Sequence, residues 1–342
     1  VTAFAKVAID GLGERAHESP RVPGRPGGRK TASAEVSARA DRDRTGHGGA
    51  SSTGRQIFSC SSKVCESFVP KSNLAVRLLT AGIAGPLLLA ILFVGPAWGF
   101  SLLVIAATGL AAYEVLSMTH PSDGVARLLG VVVAMIPAAG LAFAGDDAAV
   151  VIGVLVVAPI FGMLLPLVRL GEIATAGLRI MAGAAVPLYV GAPLGLLGRM
   201  REAGGSEGAG KVLLVLLLAW LGDTGGYFFG RFLGKTKLYE AVSPKKTRAG
   251  LVGAIVGAIV GALIASQFFL PRLGPGHAVV LGLLGGLFGQ AGDLAESLLK
   301  RSTGVKDSGG ILPGHGGLLD RIDAVLVLSP LVYLYWLALL ER

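Results

Sequence analysis

From residue 74 to the C-terminus the chain alternates between apolar runs of roughly 20 residues and short polar breaks. The runs are continuous, with no strict apolar–polar alternation, so they predict membrane-crossing helices and not barrel strands. Nine spans follow: 74–94, 97–118, 126–144, 148–168, 177–198, 211–231, 250–270, 278–299 and 324–340. Gly95-Pro96 closes the first and Asp146-Asp147 the third. The expected fold class is all-α, a polytopic integral membrane protein with about nine transmembrane helices.

Composition agrees. The 342 residues are 52% hydrophobic, with a mean hydropathy of +0.67. The 52 glycines would weaken helices in water but let them approach closely in lipid. Gly253, Gly257 and Gly261 repeat every fourth residue, as do Gly282 with Gly286 and Gly285 with Gly289. These are predicted packing seams.

Residues 1–72 are different. They are rich in Arg, Gly, Ser, Pro and Ala and show no periodicity, so they are expected to be a disordered polar extension. Residues 73–342 are expected to form the membrane-embedded domain. The chain opens on Val1 and has no Met before Met118. The extension is either regulatory or an artefact of start-site choice. The second is the expectation, with a start at Val64, Val69 or Val76. Cys60 and Cys65 lie in this stretch without histidines at metal spacing.

The formal net charge is +9. The basic residues are scattered among spans, which argues against nucleic acid as a partner. One set of loops, carrying Arg127, Arg169, Arg179, Lys235, Lys237, Lys245, Lys246, Arg248, Lys300, Arg301 and Lys306, is the more basic, and the positive-inside rule makes it cytoplasmic. Loops 232–249 and 300–323 then share that face.

Charges inside spans are costly and mark candidate functional residues. In "WLGDTGGYFFGRFLGK", Asp223, Tyr227 and Arg231 fall on one helical face. A plain Asp–Arg link between helices would explain them equally. In "GQAGDLAESLLKR", Asp293, Glu296, Ser297 and Lys300 share a face, and "DRID" puts Asp320 and Asp323 one turn apart. Asp223, Asp293, Asp320 and Asp323 therefore gather at one membrane depth, where like charges repel unless a cation joins them. Oxygen ligands without a Cys or His pair suit Mg²⁺. Lys245, Lys246, Lys300, Arg301, Lys306 and Arg321 flank the acids, and "DSGG", "PGHGG" and "SPKKTRAG" are turns whose backbone N–H groups can meet an anion. Thr247 belongs to the last of these. His315 is a general base, a phosphate ligand, or a loop residue bonded to backbone. Carboxylates, cations and glycine turns together make a phosphoryl- or nucleotidyl-transfer site. Asp307 is read as a loop residue away from the helix ends.

The order Ser297-x-x-Lys300-Arg301, Lys306-Asp307, Pro313-Gly314-His315-Gly316-Gly317, Asp320-Arg321-x-Asp323 resembles the signature of the phosphatidate cytidylyltransferase family, the CDP-diacylglycerol synthases. "GDTGGYFFGRFLGK" and "SPKKTRAG" resemble two further family stretches, although Arg248-Ala249 stands where the family has an aromatic–acidic pair. The resemblance covers residues 74–342. It implies that CTP and phosphatidate give CDP-diacylglycerol and pyrophosphate at a cytoplasmic-membrane site, with Mg²⁺ and, commonly, a homodimer. It maps metal ligands onto Asp293 and Asp320. Catalytic roles then fall to Asp293, Asp320, Lys300, Arg301 and His315, and substrate contacts to Lys245, Lys246, Thr247, Ser297, Lys306 and Arg321. Two other readings are a CTP-dependent polyprenol or phytol kinase and an ion-coupled transporter. The unbroken signature argues against the first. The absence of a visible internal repeat argues against the second.

Overall fold

The computed structural model describes residues 73–310 and 316–340. The expectations for residues 1–72 and for His315 lie outside the described residues. The helices are α1 (Asn73–Phe93), α2 (Ala97–Thr119), α3 (Gly124–Ala144), α4 (Ala148–Val168), α5 (Ala176–Val186), α6 (Ala192–Ala203), α7 (Gly208–Leu233), α8 (Arg248–Phe268), α9 (Gly274–Ser302) and α10 (Leu319–Leu339). Among the described residues, eight helical segments are long and apolar enough to cross a membrane, and Gly82–Phe93 of α1 is a shorter apolar stretch. The chain is an all-α polytopic membrane protein. Helix α4 makes the solvent plain: only 17% of its apolar window is buried, and Ile152, Phe161, Leu167 and Val168 all face outward. Such a stripe is stable against lipid and not against water.

The predicted span 177–198 lies within one apolar helical segment, Ile173–Ala203, whose hydrogen-bond ladder changes partway. Helices α5 and α6 are joined by a π-helical turn, Pro187–Gly191. Pro187 has no N–H to continue the α-helical ladder, and the wider turn absorbs the missing bond.

The glycine seams are present and set the geometry of the C-terminal half. A Cβ on Gly253 would strike the Gly225 carbonyl of α7, and one on Gly257 would strike that of Leu221. On the other side of α8, a Cβ on Gly282 of α9 would lie 2.5 Å from Ile259 Cα. Gly289 faces Leu328 and Ala324 of α10. Helices α7, α8 and α9 thus pack backbone against backbone, as small residues allow in lipid, and α10 sets its side chains against α9.

The stretch expected as a loop, 232–249, contains a hairpin. Strand β1 (Lys237–Tyr239) pairs antiparallel with β2 (Ser243–Thr247). Thr247 ends the hairpin and caps α8, its Oγ accepting the Gly250 N–H at 3.1 Å.

Candidate active site

The C-terminal ends of α7 and α9, the hairpin and the N-terminal ends of α8 and α10 meet around a cleft of about 550 Å³. Helix α7 contributes Asp223, Tyr227 and Arg231. The hairpin contributes Lys245, Lys246 and Thr247. Helix α9 contributes Gln290, Asp293, Glu296 and Lys300, on successive turns of one face. Helix α10 contributes Asp320, Arg321 and Asp323. Two helix N-termini at one cleft favour anionic groups there.

Most of the residues singled out in the sequence are therefore neighbours. Ser297, Arg301 and Lys306 are outside the cleft lining. Ser297 Oγ lies 3.4 Å from Asp293 Oδ1 as a weak donor, and Arg301 donates to the Val305 carbonyl at 3.0 Å. Lys306 is exposed. Asp307, expected away from the helix ends, lines the cleft instead, because the chain turns sharply after α9.

The carboxylates divide into two groups. Asp293, Glu296 and Asp323 each offer an oxygen within 4.8 Å of the others. Glu296 is 1% exposed, and its Oε1 is buried without a hydrogen-bond partner. A buried, unpartnered carboxylate oxygen among two further carboxylates can accept a positive ligand. The set is all oxygen, which suits a hard divalent cation. Asp223 lines the same cleft.

Asp320 is occupied otherwise. Its Oδ1 accepts from Lys300 Nζ at 2.5 Å. Its Oδ2 accepts the Ser308 N–H at 3.1 Å, the Ser308 hydroxyl at 3.0 Å and the Gly317 N–H at 2.9 Å. Lys300 also pairs with Glu296 at 2.5 Å, so it ties the Asp320 cluster to the carboxylate trio. Lys246 Nζ stands 2.6 Å from Asp293 Oδ2, an ion pair off the hydrogen-bonding line. Arg231 donates to Tyr227 Oη at 2.6 Å, so the Asp–Arg helix link considered for Asp223 and Arg231 is not the arrangement seen.

Two residues outside the expected set belong here. Glu296 shares the Asp293 face in sequence but carried no assigned metal role. Glu114 of α2 is 2% exposed and accepts hydrogen bonds from Ser308, Leu318 and Leu319. Its one sequence signal is a carboxylate inside an apolar span.

Fold and cleft define a multi-pass helical membrane protein with a charge-lined polar site at one end of its bundle. Residues 75–339 match the model of the cytidylyltransferase family, and the chain belongs to that family. A 127-residue stretch is 43% identical to proteins named phosphatidate cytidylyltransferase from Staphylococcus saprophyticus, Staphylococcus epidermidis and Staphylococcus aureus (strain COL). The match spans 37% of this chain and 49% of each relative, so the aligned stretch covers about half the length of these relatives.

Proposed function

We propose that this chain transfers a cytidylyl group from CTP to phosphatidate, giving CDP-diacylglycerol and pyrophosphate. The names of the relatives support the substrate pair. One observation carries the chemistry: the unpartnered Glu296 oxygen within the Asp293–Glu296–Asp323 trio, with Lys246 and Lys300 ion-paired at its edges.

In this reading a phosphatidate oxygen bonds to the α-phosphorus of CTP and the bond from that phosphorus to the bridging oxygen of the leaving pyrophosphate breaks. The attacking oxygen is already anionic, so the site needs little base catalysis. Positioning and charge neutralisation dominate. Lys245, Lys246 and Arg321 line the cleft as cations for phosphate groups. Lys300, held between Glu296 and Asp320, keeps its charge at a fixed place. Asp293, Glu296 and Asp323 would hold Mg²⁺, which when bound screens the phosphate charges and polarises the reacting phosphoryl group.

The acyl chains stay in the bilayer while the headgroup enters at the membrane boundary. In this reading the cleft faces the cytoplasm from the cytoplasmic membrane, where CTP is available. The basic loops support this orientation.

The test is a product assay. Purified protein in phosphatidate-containing vesicles, given CTP and Mg²⁺, should form CDP-diacylglycerol and pyrophosphate. A phosphorylated alcohol formed from added polyprenol, or no lipid product, would reject the reading. Cysteines introduced in the 232–249 loop should resist an impermeant thiol reagent on intact cells, and labelling there would invert the orientation.

A further inference from the structure

We propose that Glu114 is a positioning residue that shapes the signature loop and, through it, the charge arrangement of the cleft. For its activity consequences the proposal rests on the cytidylyl-transfer reading above.

Glu114 lies on α2, about 200 residues from the groups it binds. Two separate pieces of chain converge on its carboxylate. Ser308 donates its hydroxyl to Oε2 at 2.9 Å. The backbone amides at the start of α10 follow: Leu318, the residue before the helix, donates its N–H to Oε1 at 2.9 Å, and Leu319 donates to Oε2 at 2.8 Å. A carboxylate at a helix N-terminus satisfies orphan N–H groups and complements the helix dipole. Here it is supplied from another helix, and it sets where α10 begins.

The loop glycines fit the same role. A Cβ on Gly309 would lie 2.8 Å from Glu114 Oε1, and one on Gly317 would lie 2.5 Å from Oε2. Gly316 adopts φ +81°, a conformation L side chains rarely take. Gly309 and Gly317 are therefore required by close approach to the Glu114 carboxylate, Gly317 also by the Ser308 hydroxyl, and Gly316 by its backbone conformation.

A continuous path of polar contacts leads from Glu114 to the trio. The Ser308 hydroxyl, with a single proton, is shared between Glu114 Oε2 at 2.9 Å and Asp320 Oδ2 at 3.0 Å. Asp320 holds Lys300 at 2.5 Å, and Lys300 holds Glu296 at 2.5 Å. Supporting contacts of this kind orient the ligands of a cation without touching it.

Glu114→Gln has one acceptor oxygen where two are used, and its amide would face a backbone N–H. Two measurements decide the proposal. The first is hydrogen exchange on the full chain in detergent without substrate. In Glu114→Gln, peptides covering Ser308 and Leu318–Leu319 should exchange faster, with α7, α8 and the membrane part of α9 unchanged. The second is CDP-diacylglycerol formation, where kcat should fall by about 10–100-fold and the Mg²⁺ needed for half-maximal rate should rise. Glu114→Asp, which keeps both oxygens, should restore part of each. Ser308→Ala should shift the Mg²⁺ requirement while leaving exchange at Leu318–Leu319 protected. It also carries the test if Glu114→Gln does not fold. Unchanged exchange in Glu114→Gln, or an unchanged Mg²⁺ requirement in both variants, overturns the proposal. If the wild-type protein forms no CDP-diacylglycerol, the proposed activity fails, and the exchange data still decide whether Glu114 holds the loop.

Discussion

Lys246 of the hairpin and Asp293 of α9 form an ion pair, with Nζ 2.6 Å from Oδ2 and both side chains largely shielded from solvent. The contact joins the one strand pair among the described residues to the carboxylate trio. It places a cation where a phosphate group would meet the trio's edge, and it gives Lys246 a role separable from that of the acids.

Lys246→Ala should therefore weaken CTP binding more than cation binding. Losing one charge-assisted contact is worth roughly 1.5–3 kcal/mol, or about 10–100-fold in the KM for CTP. The Mg²⁺ requirement should hold steady or fall, because Asp293 loses a competing cation. Steady-state kinetics varying CTP and Mg²⁺ independently separates the two. A raised Mg²⁺ requirement with unchanged KM for CTP would make the pair a structural link.

The two carboxylate groups predict different responses. Asp293→Asn, Glu296→Gln and Asp323→Asn should each lower the rate by on the order of 10²–10³, with partial recovery at high Mg²⁺. Asp320→Asn should also lower the rate, through the freed Lys300 and the loosened Ser308 and Gly317 contacts, but extra Mg²⁺ should not recover it. Titrating Mg²⁺ against product formation for the four variants reads this directly. Equal recovery of Asp320→Asn would return Asp320 to the cation's ligands.

The seam between α7 and α8 predicts a stability difference between glycines of similar sequence context. A methyl group on Gly257 meets the Leu221 backbone, whereas one on Gly153 of α4 meets nothing within 4 Å. Gly257→Ala should destabilise by about 1–3 kcal/mol through overpacking, and Gly153→Ala should be neutral or slightly stabilising. Thermal unfolding in detergent, followed by circular dichroism, measures both. Equal midpoints would mean that the helices separate without cost.

Acid should weaken one link outside the membrane-spanning segments. Asp123 caps α3, accepting the Ala126 N–H at 2.9 Å, and receives two hydrogen bonds from Arg169 at 3.0 and 3.1 Å. The Arg169 guanidinium, with help from the Ala126 N–H, lowers the Asp123 carboxyl to about 2 from an ordinary 3.8. The folded state thus binds the proton less readily than the unfolded state. The stabilisation is complete above about pH 4 and is lost as pH falls towards about 2. Asp123→Asn keeps a capping oxygen and removes the charge. Its deficit in thermal midpoint should be visible at neutral pH, shrink as pH falls through that window, and diminish with added salt because the pair is exposed. A deficit independent of pH would assign the effect to the cap.

What the sequence determines by itself is whatever depends on neighbours along the chain. Apolar runs long enough to span lipid specify the helices, and glycine spacing specifies the seams, because both follow from the rise and pitch of one helix. The faces holding Asp223 with Arg231, and Asp293 with Lys300, are legible for the same reason. The tertiary structure decides which carboxylates cluster as candidate cation ligands and which are engaged by protein groups. Asp320 and Asp323 are three residues apart, yet Asp323 joins Asp293 and Glu296 while Asp320 turns to Lys300, Ser308 and Gly317. Arg301 and Lys306 belong to the signature but lie outside the cleft lining. Glu114 carries no local signal beyond its charge within a span, and its partners lie about 200 residues away. Helical periodicity reports the direction of a side chain about its own axis. The group it meets depends on how distant helices are brought together, and between α7, α8 and α9 backbone contacts along the glycine seams set that distance.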